Sequence, residues 1–567
     1  MPVRHTLELS INPNLATFDG ASVIDVDVRK PTAVIWLNGR NLVPRDATVT
    51  FDGRTWPGRI EAEGGEFLGI YLNSTVGPGP AKISIRYQAR LEDHRVLGAY
   101  RRRVDGEWYV YTTFTPVEAR RAFPCFDEPR FKTPWDISIR VPPGDRAFAN
   151  GREIDDKEGP GRSRIFTFET TKPLASEVVA FAVGPFDVYE GEPAGTGTPV
   201  RVITPKGHAA DGKAAAQATV LVLPKLEAYT EIPYPFGKLD HLALPESAFG
   251  AVENPGLITY LARELLISPG GDTTARTANL RFLQAHEVGH QWFGNLVTQS
   301  SWADVWLSEG FATWISEKMM DQEQIPERKH LYAILARERI MKLDESPRTR
   351  PVRVEVRDRE GSKNVYNRFV YDKGASVLLM LEGWLGDDQV QRAARAYLQE
   401  HAYSNAATAD FAGDLAHASG QDPAPVMHAF LDMTGIPRVS ARLKCDALPR
   451  LEIRTAGPAP VPVCWRASTL ATSQCTVMDT PSRDIHLGAC PAWTYLNAGG
   501  TGYYRTIWTG DQLTALPLDR LTAAERLTLA YDLRAQGTER AAARAVLMKL
   551  AGDPEAEVSS AAKAGLK

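Results

Sequence analysis

His286-Glu287-Val288-Gly289-His290, with Glu309 following after eighteen residues inside Ser308-Glu309-Gly310-Phe311-Ala312, is the stretch on which the reading of this chain turns. Two histidines four apart on a helix lie about 40° apart around its axis, so both imidazoles face one point. That arrangement makes two bonds to a zinc ion, and the glutamate beside the first histidine lies next to the water such an ion holds. The bare pattern arises by chance about once per hundred chains of this length, so Glu309 and its surroundings raise its weight. The flanking Phe282, Leu283, Trp292, Phe293 and Leu296 predict an apolar, largely buried helix, and buried ionisable groups need partners or a metal.

A catalytic zinc takes three protein ligands and keeps a fourth position open. His286, His290 and Glu309 would supply two nitrogens and one oxygen to a single Zn2+ per chain, with Ser308 as N-cap of the helix that carries Glu309. Glu287 would take a proton from water at the metal and pass it to the leaving group. The same geometry serves amide, ester or epoxide opening, so these residues alone predict a zinc hydrolase.

The chain has 567 residues, too many for one core, and three or four domains are expected. Hydrophobic residues make up 43% and charged residues 24%, the composition of a soluble globular protein. A net charge of -4 without a sustained basic run gives no electrostatic case for nucleic acid, and no stretch of eighteen apolar residues suggests a transmembrane helix. Met1 to Thr6 leads directly into strand-like sequence without an h-region, so the protein is cytosolic or its signal peptide lies outside this chain. Cys125 stands alone, whereas Cys445, Cys464, Cys475 and Cys490 cluster in a β-patterned segment and read as one or two disulfides. That favours a periplasmic or secreted protein over the cytoplasmic alternative.

From Val3 to about Tyr189 short alternating runs such as Lys82-Ile83-Ser84-Ile85-Arg86-Tyr87 are broken by Gly, Pro and Asp, which predicts an antiparallel β domain. Gly191-Glu192-Pro193-Ala194-Gly195-Thr196-Gly197 looks like a linker. Strands at Val200–Thr204 and Leu239–Leu244 flank a helical stretch, long helices run from about Ala275 to Phe430, and strands return from about Val439 to Trp508. Arg540 to Leu550 and Glu557 to Leu566 read as helices that either dock onto the preceding domain or belong to a longer helical region.

Two further segments bear on the chemistry. Leu242-Ala243-Leu244-Pro245 leads into Gly250-Ala251-Val252-Glu253-Asn254, where Gly250 permits close backbone approach and Glu253 sits on an edge at which a substrate strand could pair. Phe249, just before it, would form an apolar wall of a side-chain pocket. In Tyr371-Asp372-Lys373-Gly374-Ala375, a tyrosine at a helix start would donate to a developing oxyanion.

In this order these segments resemble the aminopeptidase N-like family of zinc metallopeptidases, the gluzincins to which leukotriene hydrolase also belongs. Gly250 to Asn254 matches the family's Gly-Ala-Met-Glu-Asn, His286 to Ala312 its HExxH and Asn-Glu-Gly-Phe-Ala with Ser308 for Asn, and Tyr371 its catalytic tyrosine. Ala119 to Pro129 looks like its N-domain signature, and Trp493 to Arg505 like its small β-sandwich. The resemblance implies a multidomain α+β protein: an N-terminal antiparallel β saddle domain (1–190), a thermolysin-like α/β catalytic domain (191–438), a small β-sandwich (439–515) and a short C-terminal helical segment (516–567). It also implies removal of the N-terminal residue from peptides with a free N-terminus. Glu253 would hold the α-ammonium, residues 250 to 254 (Gly250, Ala251, Val252, Glu253 and Asn254) would pair with the substrate backbone, and Tyr371 would stabilise the oxyanion. An N-blocked peptide would leave the Glu253 charge buried and unpaired.

The departure lies at Thr113-Phe114-Thr115, where relatives carry Gln-x-Glu or Gln-x-Gln to complete the amine site. Hydroxyls accept a hydrogen bond but bring no charge, which predicts weaker amine anchoring at Thr115. Glu118 is near enough in sequence to compensate, although it matches a structural acid of the family. The oligomeric state and the preferred first residue stay open.

Overall fold

A computed structural model describes residues 1–271, 273–321, 328–537 and 541–567. They form a multidomain α+β protein: a β-rich N-terminal part, a central region of helices and strands, and helices at the C-terminal end. By compactness the chain divides into two units, the first made of Met1–Trp302, Arg357–Lys363 and His401–Ala406, the second of Ala303–Val356, Asn364–Glu400 and Ala407–Lys567.

In the first unit the alternating runs become a ten-stranded sheet whose inward residues, among them Leu7, Leu9, Ile83, Ile85 and Tyr87, are almost fully buried. Period-two alternation with one face on the core produces this directly. The sheet is not wholly antiparallel: Pro2–Ser10 pairs in parallel with Trp135–Val141 while pairing antiparallel with Thr17–Val28. The long chain between Ser10 and Trp135 makes the parallel crossover possible. A second, four-stranded sheet runs in the order Arg146–Ala149, Phe181–Gly184, Glu107–Thr113, Gly98–Val104.

A third sheet holds the Gly250–Asn254 segment at its edge. Its five strands run Asp187–Glu190, Val200–Thr204, Leu239–Leu244, Leu257–Leu261 and, at the edge, Ala251–Val252. Gly191 to Gly197 is therefore no linker. It is the turn of a hairpin between Asp187–Glu190 and Val200–Thr204, and the Thr196 amide and hydroxyl both bond to the Glu227 carboxylate at 2.8 and 2.9 Å. Glycine and proline marked the turn correctly; the buried Glu227 that orders it lies thirty residues on, beyond any local pattern.

The second unit is built on the helices Trp306–Asp321, Leu331–Asp344, Gly374–Leu385, Asp387–Glu400, Thr408–Ser419 and Ala424–Leu431. Two small sheets follow, and both clustered pairs of cysteines are joined there, Cys445 to Cys490 and Cys464 to Cys475, the latter across paired strands. Cys125 is a buried free thiol. The C-terminal helices Ala523–Gln536, Ala541–Leu550 and Ala556–Leu566 dock: Leu527, Leu533, Leu547 and Val558 share one core with Leu331, Ile334, Tyr495 and Trp508. Arg540, read as the start of the middle helix, lies outside the described residues. No helix among the described residues is long and apolar enough to cross a membrane.

Candidate functional site

The helix Thr274–Gly289 carries the first histidine and the glutamate and delivers His290 as its C-cap. Thr273 caps its start by accepting from the Arg276 amide. Burial is confined to its last turns: Leu280, Gln284, Ala285, Glu287, Val288 and Gly289 are buried, whereas Phe282 is 37% exposed. The expectation of a helix apolar all along fails because Trp292, Phe293 and Leu296, fully buried, lie in the chain after it rather than on it. Buried polar contacts fix its rotation. Gln284 donates to the Ala215 carbonyl at 3.0 Å, and Thr219 lies between Gln284 and the His241 ring at 3.4 and 2.8 Å. Burial lowers the His241 pKa to about 4, so this ring is neutral and serves as a hydrogen-bonding strut.

His286 and His290 turn their Nε2 atoms toward one another, 3.1 Å apart, with ring planes nearly perpendicular. Two nitrogens bound tetrahedrally to one zinc at about 2.0–2.1 Å stand roughly 3.3 Å apart, so the donor pair fits that ion. His290 Nδ1 lies 3.1 Å from the Phe293 carbonyl; donation there puts the lone pair on Nε2. Glu253, Glu287 and His290 each bring a ligand atom within 4.8 Å of the others, placing the edge-strand carboxylate, the glutamate of the helix and its C-cap histidine in one cluster. Beneath it, burial and then the Glu287 charge push the Tyr260 hydroxyl well above the usual phenol range, so it stays protonated, 3.2 Å from His241 Nδ1.

The segment Gly250 to Gly256 is pinned from two sides. The Glu253 carbonyl accepts from Gln291 Nε2 at 2.9 Å and Asn295 Nδ2 at 2.8 Å, both in the chain just after His290. On the other side Asn150 Nδ2 donates to the Pro255 carbonyl at 2.9 Å and the Val178 carbonyl at 3.0 Å, and Lys238 donates to the Gly256 carbonyl at 2.6 Å. Gly256 is obligatory there, at φ +72° with the Asn150 oxygen 2.3 Å from where a Cβ would stand. Asn254 turns inward to the Val252 carbonyl and Thr259. Ala251 and Val252 pair with Tyr260 and Thr259 and form the edge of the sheet, and a side chain on Gly250 would meet open space. Phe249 lines a cavity of about 490 Å³ with Ser247, Leu283, Arg263, Glu264 and Arg276; its wall is charged as well as apolar. Gln291, Asn295 and Asn150 were invisible in the sequence, since no spacing links them to Glu253.

Thr115 is buried and donates its hydroxyl to the Glu177 carbonyl at 3.3 Å. Glu118, the candidate to compensate for it, is 1% exposed and held by Arg121, Arg359 and Lys363, which makes it a structural acid.

In the second unit Glu309 lies in the first turn of Trp306–Asp321 and is buried. Ser308 is inside this helix and does not cap it: both Ser308 and Glu309 amides bond to the Val305 carbonyl, because buried Trp306 and Leu307 draw the helix start forward. Tyr371 occupies a π-helical turn, Phe369–Lys373, that runs into Gly374–Leu385. Such turns mark places where a helix is distorted to aim a side chain. The rest of its motif has structural work. Lys373 pairs with Asp344 at 2.8 Å, both fully buried, and Tyr503 donates to the same carboxylate at 3.1 Å. Gly374 meets Gly310, so the helix of Glu309 and the helix after Tyr371 touch backbone to backbone.

A family model described as "Peptidase M1 N-terminal domain" matches residues 1–177, and one described as "Peptidase family M1 domain" matches 214–430. The chain is similar to Aminopeptidase M1-A of Oryza sativa subsp. japonica (31% identity over 94% of this chain and 63% of the relative). It is also similar to Aminopeptidase M1 of Arabidopsis thaliana (32%, 93% and 63%) and to the puromycin-sensitive aminopeptidase of Caenorhabditis elegans (30%, 94% and 59%). It spans less than two thirds of the length of each.

Proposed function

Because this chain belongs to the aminopeptidase N-like M1 peptidase family, we propose that it is a zinc-dependent aminopeptidase that removes the N-terminal residue from peptides with a free amine. The observation that carries this reading is the cluster of Glu253, Glu287 and His290. It sets an anionic group within 4.8 Å of Glu287, so that a peptide ammonium held on Glu253 would bring the first peptide bond close to the proposed base.

His286, His290 and Glu309 would hold the metal, which when bound polarises the scissile carbonyl and acidifies water. Glu287 takes the proton of the attacking water and returns it to the departing amine, an exchange that general acid–base catalysis makes worth about 10²–10⁴-fold in rate. Tyr371 donates its hydroxyl to the oxyanion as charge develops. Glu253 fixes the ammonium, while Ala251 and Val252 extend the sheet edge along the substrate backbone. Two disulfides in the small β region favour a periplasmic or secreted setting.

Aminoacyl-nitroanilides should be cleaved by the metal-loaded enzyme, cleavage should stop with chelator, and Glu287→Gln should lose about 10²–10⁴-fold in kcat while keeping one zinc per chain. N-acetyl peptides cleaved as fast as free ones would remove the exopeptidase assignment.

A further inference from the structure

We propose that the cavity walled by Trp314, Glu317, Asp321, Ala333 and Leu379 is a binding site for a small organic cation, a primary amine or guanidine with an apolar body. The cavity measures about 290 Å³ and lies within the second unit, among the helices Trp306–Asp321, Leu331–Asp344 and Gly374–Leu385. Sites for small ligands run from about 300 to 1,000 Å³, so this one suits a compact occupant. It is separate from the proposed metal centre: Glu317 follows Glu309 on the first of these helices by about 12 Å of axial rise.

The charges lining the cavity do not balance. Its basic groups are committed: Lys318 Nζ pairs with Glu382 at 2.6 Å and with Asp387, and Lys329 pairs with Asp387 at 3.4 Å. His330 donates its backbone amide to Asp321 Oδ2 at 2.7 Å, and its ring Nδ1 lies 3.4 Å from the same oxygen. What remains is negative. Asp321 Oδ1 is buried without a hydrogen bond, and Glu317, 6% exposed, makes no hydrogen bond or ion pair among the described residues. The Arg339 charge reaches Glu317 only as a field. Glu317 and Asp321 are four residues apart, hence on one face of their helix, and both line the cavity. Burial, and then the Asp372 and Asp321 charges, push the Glu317 carboxyl well above the usual carboxylate range, so without a cation beside it this group holds a proton. An organic cation supplies the missing partner: its N–H groups donate to Glu317 and to Asp321 Oδ1, and the Glu317 proton leaves to solvent. Trp314, Ala333 and Leu379 give its apolar body a wall. A metal ion suits the cavity less, because among the described residues no three of these carboxylates and His330 bring ligand atoms within 4.8 Å of one another.

The test is calorimetric titration of the zinc-loaded protein with butylguanidinium and with butylurea, its uncharged isostere, under a saturating aminoacyl hydroxamate that keeps the probes off Glu253. Butylguanidinium should bind with release of a proton at pH 7, read from the dependence of the heat on the buffer's ionisation. Butylurea, which brings no charge, should bind about tenfold more weakly or not at all. Glu317→Gln should weaken butylguanidinium by about tenfold to a hundredfold and abolish the proton release, while the hydroxamate affinity stays as in the parent. Asp321→Asn should weaken it by a similar factor, and it provides the same comparison if the Gln variant does not fold. Butylguanidinium that binds no better than butylurea, or that binds the variants as tightly as the parent, overturns the proposal. Equal weakening of the probe and of the hydroxamate overturns it as well, since the substitution would then act on the metal site.

Discussion

Gly310→Ala is the perturbation whose outcome the structure fixes most closely. A Cβ at 310 would stand 3.1 Å from the Gly374 Cα and 3.1 Å from the Val370 carbonyl oxygen; one at 374 would stand 3.1 Å from the Gly310 Cα. Both obstacles are backbone, so relief requires the helix Trp306–Asp321 and the turn Phe369–Lys373 to part by a few tenths of an ångström. Overpacking of this kind costs about 1–3 kcal/mol, and the better helix propensity of alanine returns about 1 kcal/mol, leaving a net loss of roughly 0–2 kcal/mol. Activity should suffer more than stability. Val370 precedes Tyr371 directly, and Glu309 precedes Gly310, so the parting displaces the proposed oxyanion donor relative to the proposed zinc ligand. Misplacement by about 1 Å costs about 10²-fold, so a fall in kcat of about tenfold with little change in KM is expected. Gly413→Ala is the control: it lies exposed in Thr408–Ser419 with nothing within 4 Å of a Cβ, and should gain about 0.5–1 kcal/mol with kcat unchanged. Urea unfolding and nitroanilide kinetics on both variants decide the matter. If Gly310→Ala matched Gly413→Ala in both measurements, the glycine contact would have no positioning role.

His5, buried against Trp135 at 4.1 Å and bonded to Ser22 at 2.6 Å, has its pKa lowered to about 3 by burial. The unfolded chain binds that proton and the folded one does not, so this contribution is complete above pH 6.5 and falls by up to about 1.4 kcal/mol per pH unit toward pH 3. Urea midpoints between pH 7 and 4 should show a steeper decline in the parent than in His5→Gln. Lys373→Met leaves the Asp344 carboxylate buried without its partner and should cost about 3–5 kcal/mol, part of which Asp344→Asn in the same chain should restore, both read by urea unfolding. Replacing Cys445 and Cys490 by serine should cost about 1 kcal/mol more than replacing Cys464 and Cys475, since the closed loops span 45 and 11 residues. Equal losses in thermal melts would show that chain entropy does not govern these bridges.

Much of the architecture was legible because its signals are local. Alternation at Ile83, Ile85 and Tyr87 reports a strand with one wet face, and four-residue spacing of His286 and His290 reports two side chains on one helical face. Each depends only on the periodicity of its own element. The errors came where burial depends on what packs against an element. Phe282 has the right chemistry for a core and sits exposed, while Trp292 and Phe293 are buried beyond the end of the helix at Gly289. Ser308 has the chemistry of a cap, yet the helix begins earlier because Trp306 and Leu307 are buried. The supposed linker at Gly191 to Gly197 is held as a turn by Glu227.

By itself, then, the sequence determined which side chains are candidates for the proposed chemistry, because metal ligation and proton transfer demand particular side chains at spacings set by helix geometry. Tertiary structure decided what supports them. The Glu253 carbonyl held by Gln291 and Asn295, the Asn150 bridge between Pro255 and Val178, the Lys373–Asp344 pair and the Gly310–Gly374 contact join residues distant in the chain. They arise from three-dimensional closure of backbone and buried polar groups, which leaves no periodic trace in the order of residues.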